Sequence, residues 1–446
     1  MITGPAFAGK RYAVLGLARS GMAAVETLLA SGAQVTAWDS RDEPRHKIEG
    51  RARLADPASI DLSGFDGVVV SPGVPLNSHP IAAHAASFNV PVIGDIELFA
   101  LARASLPAHR VVGITGTNGK STTTALVHHL LKSAALPARM GGNIGIPILS
   151  QDPLAPGGIY ILELSSYQLD LTFSLACEAA ALLNITPDHL DRYDGFAAYV
   201  ASKARLFAMQ RPDQHAVFGV GDAETAAIAD REALRRKSDR IHRVDGANLV
   251  QLQPDWPSLQ GPHNLQNAAV AVAIVESLGL SQAQWRAAMP TFRGLPHRME
   301  RVGEFDGVLF INDSKATNPA SAAPAIAAFP PRPGKRIHWI LGGLPKGDSL
   351  DECKPWFGNV AAAYVIGDAG PKFAELLSPY MPVTRSEMLA EAIRQAKAAA
   401  RPGDIVMLSP ACASFDQFRD YEARGDAFRQ IVEALAIPEP ASGGPA

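Results

Sequence analysis

Cysteine is nearly absent from this chain, and the little that occurs is scattered. Only Cys177, Cys353 and Cys412 are found in 446 residues, with no C-x-x-C pair. That argues against a disulfide framework and against a zinc site, and it fits a reducing cytoplasm. Net charge is equally scarce: 41 Lys and Arg against 44 Asp and Glu leave −3, so no global field draws the chain to nucleic acid or to a membrane surface. No run of about 18 apolar residues occurs, so no membrane span is expected. Lys10 and Arg11 precede a moderately apolar stretch, but Arg19, Glu26 and several glycines break it before a signal-like core is complete. Short sequence repeats are missing as well.

What is present reads as an ordinary globular composition, 47% hydrophobic and 19% charged. At roughly 150 residues per domain the length suggests about three. In the first hundred residues "RYAVLG", "AQVTAWD", "GVVVSPG" and "VPVIGD" alternate with helical segments such as "SGMAAVETLLASG", a βαβ pattern that predicts a parallel sheet. A second series opens at "VVGIT" and continues through "GIYILELSS" and "EAAALLNITPDH"; a third runs from "GVLFINDSKATN" through "RIHWILGG", "AAAYVIGD" and "GDIVMLSPACAS". The expected fold is α/β in three domains: an N-terminal Rossmann-like parallel sheet over residues 1–106, a central P-loop ATPase-like α/β domain over 107–298, and a C-terminal Rossmann-like α/β domain over 299–436. The Pro, Gly and Ala-rich tail 437–446 has little to bury and is expected to be disordered.

The stretch "GITGTNGKST" passes from strand through three glycines into a helix. Such a turn converges backbone N–H groups on anionic oxygens, and the helix N-terminus adds a favourable dipole. Lys120 supplies a point charge and Ser121 a hydroxyl for Mg²⁺. The strict G-x-x-x-x-G-K-[ST] spacing is not met, because Ile114 stands five before Gly119; the plain alternative is a glycine-rich turn with an exposed lysine. Glu163 ends the apolar run "IYILE", which places a carboxylate at the C-terminal edge of a parallel sheet, where ligands of α/β folds bind and where it can ligate Mg²⁺. Asn264 and Asn267 lie one turn apart on a predicted helix and share a face, with Asn264 also a candidate helix cap. Arg298 follows "GLPH" at the expected boundary between the second and third domains, where a guanidinium can clamp a phosphate on closure. Asp313 ends the strand "VLFIND" and can accept ribose hydroxyls, with Lys315 and Thr317 presented to the same cleft. Asn143 in "GGNIG" reads as a phosphate or acyl-substrate contact, or as a left-handed turn residue. In the first domain "VLGLARSG" has Gly16 and Gly21 of a dinucleotide fingerprint, but Ala18 replaces the middle glycine; Asp39 stands near the ribose-binding distance.

Ordered along the chain, "TGTNGKST", "GGNIG", "ELSSYQL", "NITPDHLDRY", "YVASKARLF", "GPHNLQN", "GLPHRME", "NDSKATNP", "LGGLPKG" and "LSPACASFDQF" resemble the Mur ligase family, the ATP-dependent amide-forming enzymes of peptidoglycan precursor synthesis. "DSKATNP", "SPACASFDQF" and "GLPHR" are similar to its D-glutamate-adding branch. The resemblance implies ATP as co-substrate, two Mg²⁺ sites, and an acyl phosphate formed on UDP-N-acetylmuramoyl-L-alanine before D-glutamate displaces phosphate. By resemblance, Gly116, Thr117, Asn118, Gly119, Lys120, Ser121 and Thr122 hold ATP together with Asn264, Asn267, Arg298, Asp313 and Lys315. His189 is implied as a metal ligand and substrate contact beside Ser121 and Glu163. Lys203, by default a solvated lysine of an amphipathic helix, is implied to be carbamylated by CO₂ and so to become an anionic metal ligand. Lys120, Glu163, His189, Lys203 and Arg298 form the implied catalytic set.

The same resemblance assigns the first domain to the uridine diphosphate, with Gly16, Leu17, Asp39 and Ser40 on the nucleotide side, Ser71, Pro72 and Gly73 beside the phosphates, and Asn143 near the reacting end. Thr317, Lys346, Ser414 and Tyr421 are implied for the incoming amino acid. Related D-glutamate enzymes commonly carry phenylalanine where Tyr421 stands, which leaves the side-chain pocket less defined than the reaction. Two alternatives compete. A folylpolyglutamate-type or other Mur-type ligase shares the chemistry, but folate enzymes lack a domain such as 1–106, and the "DNPR" motif of the diaminopimelate-adding branch is absent. A nucleotide-binding regulatory switch would not need Glu163, Lys203, Arg298 and Lys346. A cytoplasmic monomer without nucleic-acid or membrane partners is expected.

Overall fold

Strands that are buried on both faces of a parallel sheet need continuous apolar runs rather than alternation, and the apolar runs above are where the strands lie. The structure is a computed structural model that describes residues 1–188, 192–345 and 347–435; His189, Lys346 and the tail 437–446 lie outside the described residues. The chain divides into two units, Met1–Ala247 with Gln266–Met289, and Asn248–Leu265 with the chain from Pro290 onward.

The first unit carries two all-parallel sheets. One contains β1 (Arg11–Leu15), β2 (Gln34–Trp38), β3 (Arg53–Leu54), β4 (Gly67–Val70) and β5 (Val92–Ile93) in the order β3-β2-β1-β4-β5. The other contains β6 (His109–Thr115), β7 (Ala138–Gly142), β8 (Gly158–Glu163), β9 (Ala179–Leu182), β10 (His215–Gly219) and β11 (Ile241–Val244) in the order β11-β10-β9-β6-β8-β7. One apolar core takes side chains from both sheets, Tyr12 and Val14 of β1 with Tyr160 and Leu162 of β8 among them. Strand order reverses between β1 and β4 and again around β6, and such switch points open crevices at the C-terminal strand edges. Gly16 and Ser71 follow the first pair; the glycine-rich loop follows β6.

The second unit holds β12 (Glu300–Phe305), β13 (Val308–Asn312), β14 (Ile337–Gly342), β15 (Val360–Ile366), β16 (Val383–Glu387) and β17 (Ile405–Leu408) in the order β12-β13-β17-β14-β15-β16. All pairs are parallel except β12 with β13. The sequence series began only at "GVLFIND", so β12 is an addition. It is a half-buried edge strand with charged residues, which weakens its apolar pattern, although the Asp306-Gly307 turn, with φ of 54° and 72°, carried a hairpin signal. Among the described residues no helix is long and apolar enough to cross a membrane.

Candidate active site

In β6 and β8, Ile114 pairs with Glu163 and, in β9, Leu182 pairs with Thr115, so three strand ends deliver their following residues to one edge. The loop after β6 turns into the helix Lys120–Ser133 through Gly119, whose φ is 85°. A Cβ on Gly119 would lie 2.2 Å from Asn267 Oδ1, so only glycine allows both the turn and the approach of Asn267. Asn184, just past β9, clamps the loop tip: its Oδ1 accepts the Asn118 N–H at 2.9 Å, and its Nδ2 donates to the Asn118 carbonyl at 3.1 Å. Ser121 is buried and Thr122 half-buried in the first helical turn.

Two amines converge on this loop. Lys120 Nζ donates to the Gly116 and Thr117 carbonyls at 2.9 and 2.8 Å, and Lys203 Nζ donates to the same Gly116 carbonyl at 2.8 Å. Lys203 is 1% exposed, not the solvated lysine that helix periodicity suggests by default. Burial, and then the Lys120 charge, hold its pKa well below the usual lysine value, with Asp188 and Asp170 opposing. Tyr199, one turn earlier on the helix Gly195–Ala208, links the two features: its ring lies 4.5 Å from Lys203 Nζ and its hydroxyl 3.1 Å from Thr117 Oγ1. Tyr199 was passed over in the sequence, where its i, i+4 spacing to Lys203 is the signal that could have found it.

Glu163 is 3% exposed. Its Oε1 accepts from Asn143 Nδ2 at 3.3 Å, while its Oε2 is buried without a hydrogen-bond partner among the described residues. A buried carboxylate oxygen left so is costly, and a cation beside it would remove that cost. Among the described residues no group of three or more His, Cys, Asp and Glu side chains is placed to hold a metal; the implied set draws on Ser121 and modified Lys203, with His189 outside the described residues. Asn143 itself is not the left-handed residue, since positive φ falls on Gly142 and Gly145.

Asn143 also lines a cavity of about 380 Å³ with Gly16, Asp39, Ser40, Ser71, Pro72 and Gly73, which brings together that sequence-predicted set. Arg19, Arg41 and Gln168 line it too and were missed. Leu17 lines a neighbouring cavity instead, and its N–H donates to Asp39 Oδ2 at 2.7 Å. Burial alone would raise the Asp39 pKa, but the N–H groups of Arg41 and Leu17 and the Arg41 guanidinium hold it below the usual value. Ser71 Oγ donates to the Gly16 carbonyl at 2.8 Å, and a Cβ on Gly21 would meet that carbonyl at 1.8 Å, so Gly21 permits the helix to close on the turn.

In the second unit, Asp313 follows β13. Met299 N–H donates to its Oδ1 at 3.1 Å and Ser409 Oγ to its Oδ2 at 2.8 Å. Burial pushes its pKa up to about 7 against these bonds and the Arg298 charge. A carboxyl with a raised folded pKa binds its proton more tightly when folded, so stability falls as pH rises from about 4 to about 7. Asp313→Asn should flatten that decline, an outcome read from denaturation midpoints at pH 5 and pH 8; equal slopes in both proteins would refute it. Arg298 sits between His297 and Met299, whose φ values are 61° and 47°, a left-handed geometry that costs roughly 1–2 kcal/mol per residue carrying a Cβ.

Lys315 Nζ lies 5.0 Å from the Tyr421 ring, and Ser314 Oγ donates to the Tyr421 carbonyl at 2.8 Å. Behind them Arg424, 1% exposed, donates to Ser314 Oγ and to the carbonyls of Ser314, Cys412 and Ala413 at 2.9–3.2 Å. Burial lowers its pKa to about 10. Arg424 therefore ties the segment bearing Lys315 and half-buried Thr317 to the one bearing buried Ser414; sequence reading passed over it. Asn264 is not the helix cap: Pro262 opens the helix Pro262–Ser277, and Asn264, inside its first turn, donates to the Gln260 carbonyl at 3.1 Å.

Family models match the chain in three consecutive pieces: a MurD-like N-terminal domain over 10–94, a Mur ligase middle domain over 114–275 and a Mur ligase glutamate ligase domain over 297–412. A UDP-N-acetylmuramoylalanine–D-glutamate ligase of Novosphingobium aromaticivorans is 70% identical, with 98% of this chain and 97% of the relative covered. Its counterpart of the same name in Zymomonas mobilis is 52% identical over 98% of this chain and all of the relative. Two solved Thermotoga maritima structures share the fold at a TM-score of 0.57. They are a UDP-N-acetylmuramate-alanine ligase, 17% identical and covering 96% of this chain and 99% of its own, and a MurF ligase in complex with ADP, 16% identical and covering 96% of each. Identity of this extent over nearly the whole length, with the three family domains in order, makes this chain a member of the Mur ligase family.

Proposed function

We infer that the protein is a ligase that joins D-glutamate to UDP-N-acetylmuramoyl-L-alanine, forming an amide and consuming ATP in cytoplasmic peptidoglycan precursor synthesis. The substrate pair is supported by the 70%, 61% and 52% identical relatives, which all bear the D-glutamate ligase name. The observation that carries the chemistry is the meeting of the Lys120 and Lys203 amines on one carbonyl of the glycine-rich loop. Two amines brought to one carbonyl of a glycine-rich loop make a site suited to phosphate oxygens and to a modified lysine.

In this reading residues 1–106 take the uridine diphosphate, 107–298 the ATP and 299–436 the amino acid. The N–H groups of 116–122 cradle the phosphates, with Asn267 packed on Gly119. Lys120 exchanges its two carbonyls for anionic oxygens as ATP enters, so its charge is delivered without rearranging the backbone. Mg²⁺ fits the orphaned Glu163 oxygen; Ser121, Glu163, His189 and carbamylated Lys203 would hold two ions, which neutralise charge on the transferred phosphoryl group.

Carbamylation needs a neutral amine, which an ordinary lysine offers in only about one molecule per few thousand at pH 7. Burial beside Lys120 raises that fraction. The amine nitrogen bonds the carbon of CO₂ and its proton leaves to water, converting a cation into an anionic oxygen ligand. Arg298 adds positive charge at the γ-phosphate, Asp313 and Lys315 hold the nucleoside end, and Asn143 orients the substrate carboxylate that attacks. The D-glutamate amine, placed by Thr317, Lys346, Ser414 and Tyr421, then displaces phosphate.

The test is direct: protein, ATP, Mg²⁺ and UDP-N-acetylmuramoyl-L-alanine are mixed with D-glutamate, L-glutamate, L-alanine, L-lysine or diaminopimelate. Phosphate release and product mass should appear with D-glutamate alone. Product with another amino acid would overturn the pocket, and binding without product would favour a switch.

A further inference from the structure

Arg298 is flanked by two residues with Cβ atoms in the left-handed region, and the turn between His297 and Met299 has no glycine to relieve it. Its surroundings must therefore hold it. The holding groups converge on one carboxylate: Glu300 Oε2 accepts the His297 N–H at 2.9 Å, Asn312 Nδ2 at 2.9 Å and Arg429 Nη2 at 3.1 Å, while Oε1 accepts Arg429 Nε at 3.0 Å. Arg429 comes from the helix Tyr421–Leu435 and also donates to Asp426 Oδ1 at 2.8 Å. On the other side of Arg298, the Met299 N–H is fixed on Asp313 and the His297 carbonyl accepts the Lys315 N–H at 3.0 Å. The imidazole of His297 packs where Gly425 leaves space, since a Cβ there would lie 2.1 Å from His297 Nδ1.

We propose that Glu300 and Arg429 are positioning residues that hold the Arg298 turn in its left-handed geometry and so aim the guanidinium. A two-pronged guanidinium–carboxylate contact fixes direction as well as distance, and a misplaced charged group loses most of its effect on a transition state. The proposal rests on the reading of Arg298 as a phosphate clamp, so the experiment tests both.

Steady-state kinetics are measured for wild type, Arg298→Ala, Arg429→Met, Arg429→Lys and Arg429→Met with Met299→Gly, each checked for fold by circular dichroism. Arg429→Met should lower kcat about 30-fold while KM for the UDP-linked substrate stays within about twofold. Arg429→Lys should show the same split at smaller size. Glycine at 299 removes the penalty on the left-handed backbone, so the double variant should regain at least about threefold of the lost kcat. Loss of activity in Arg298→Ala with wild-type kinetics in both Arg429 variants would sink the proposal alone, as would a loss that Met299→Gly leaves untouched. Full activity in Arg298→Ala would sink the clamp, and the proposal with it. Should Arg429→Met not fold, Arg429→Lys decides, and wild-type kinetics there refute the positioning role.

Discussion

Lys203→Ala should lower amide formation by about 10³-fold, some 4 kcal/mol of transition-state stabilisation, and added acetate or propionate should restore part of it. The side chain is buried, its amine donates to the Gly116 carbonyl, and burial with the Lys120 charge keeps its pKa well down. A positive amine at that place would repel Lys120 and any metal; an anionic carbamate would not. Truncation also removes a packed aliphatic stem, so a fall in melting temperature is expected as well. Rescue separates the two effects, because a small carboxylate supplies an anionic oxygen but little packing. If methylamine rescues and acetate does not, the cation is the working form and the carbamate assignment is wrong. Enzyme depleted of bicarbonate should be slow and should recover when it is returned.

Glu163→Gln should lower kcat by about 10²–10³-fold while leaving the unliganded protein as stable as wild type or more so. The amide keeps the shape of the carboxylate and can still accept from Asn143, but it removes the charge from a site where one oxygen has no hydrogen-bond partner among the described residues. Burying a carboxylate without a full set of partners costs folding free energy; under the proposed function the same carboxylate is where a divalent cation attaches. Activity and stability should therefore move in opposite directions, and the Mg²⁺ concentration giving half-maximal rate should rise. Kinetics and thermal melts with and without Mg²⁺ and nucleotide check this. Wild-type activity would remove Glu163 from the metal set, and a large loss of stability without ligand would mean that its charge is compensated within the protein.

The sequence by itself determined the parts whose physics is local. Three glycines before "KST" require a loop of that shape, an acid closing "GIYILE" must stand at a strand end, and alternating apolar runs and helices require parallel sheets. The family resemblance, rather than local physics, grouped Gly16, Leu17, Asp39, Ser40, Ser71, Pro72, Gly73, Asn143 and His189; of these Leu17 lines a neighbouring cavity, His189 lies outside the described residues, and the others line one cavity. Edge strand β12 escaped because half-burial dilutes the apolar pattern, and Asn264 was misjudged as a cap because Pro262, which needs no N–H partner, starts the helix.

Only the tertiary structure decided which charges face one another in the site. Periodicity makes Lys203 a surface residue; packing of its helix against the loop after β6 buries it and sets it opposite Lys120. Asn184 clamping the loop tip, Arg424 joining two strand-end segments and Arg429 reaching Glu300 across 129 positions leave no spacing signal along the chain. Desolvation and Coulomb energy depend on which groups lie within a few ångströms, and that neighbourhood is assembled from elements far apart in sequence.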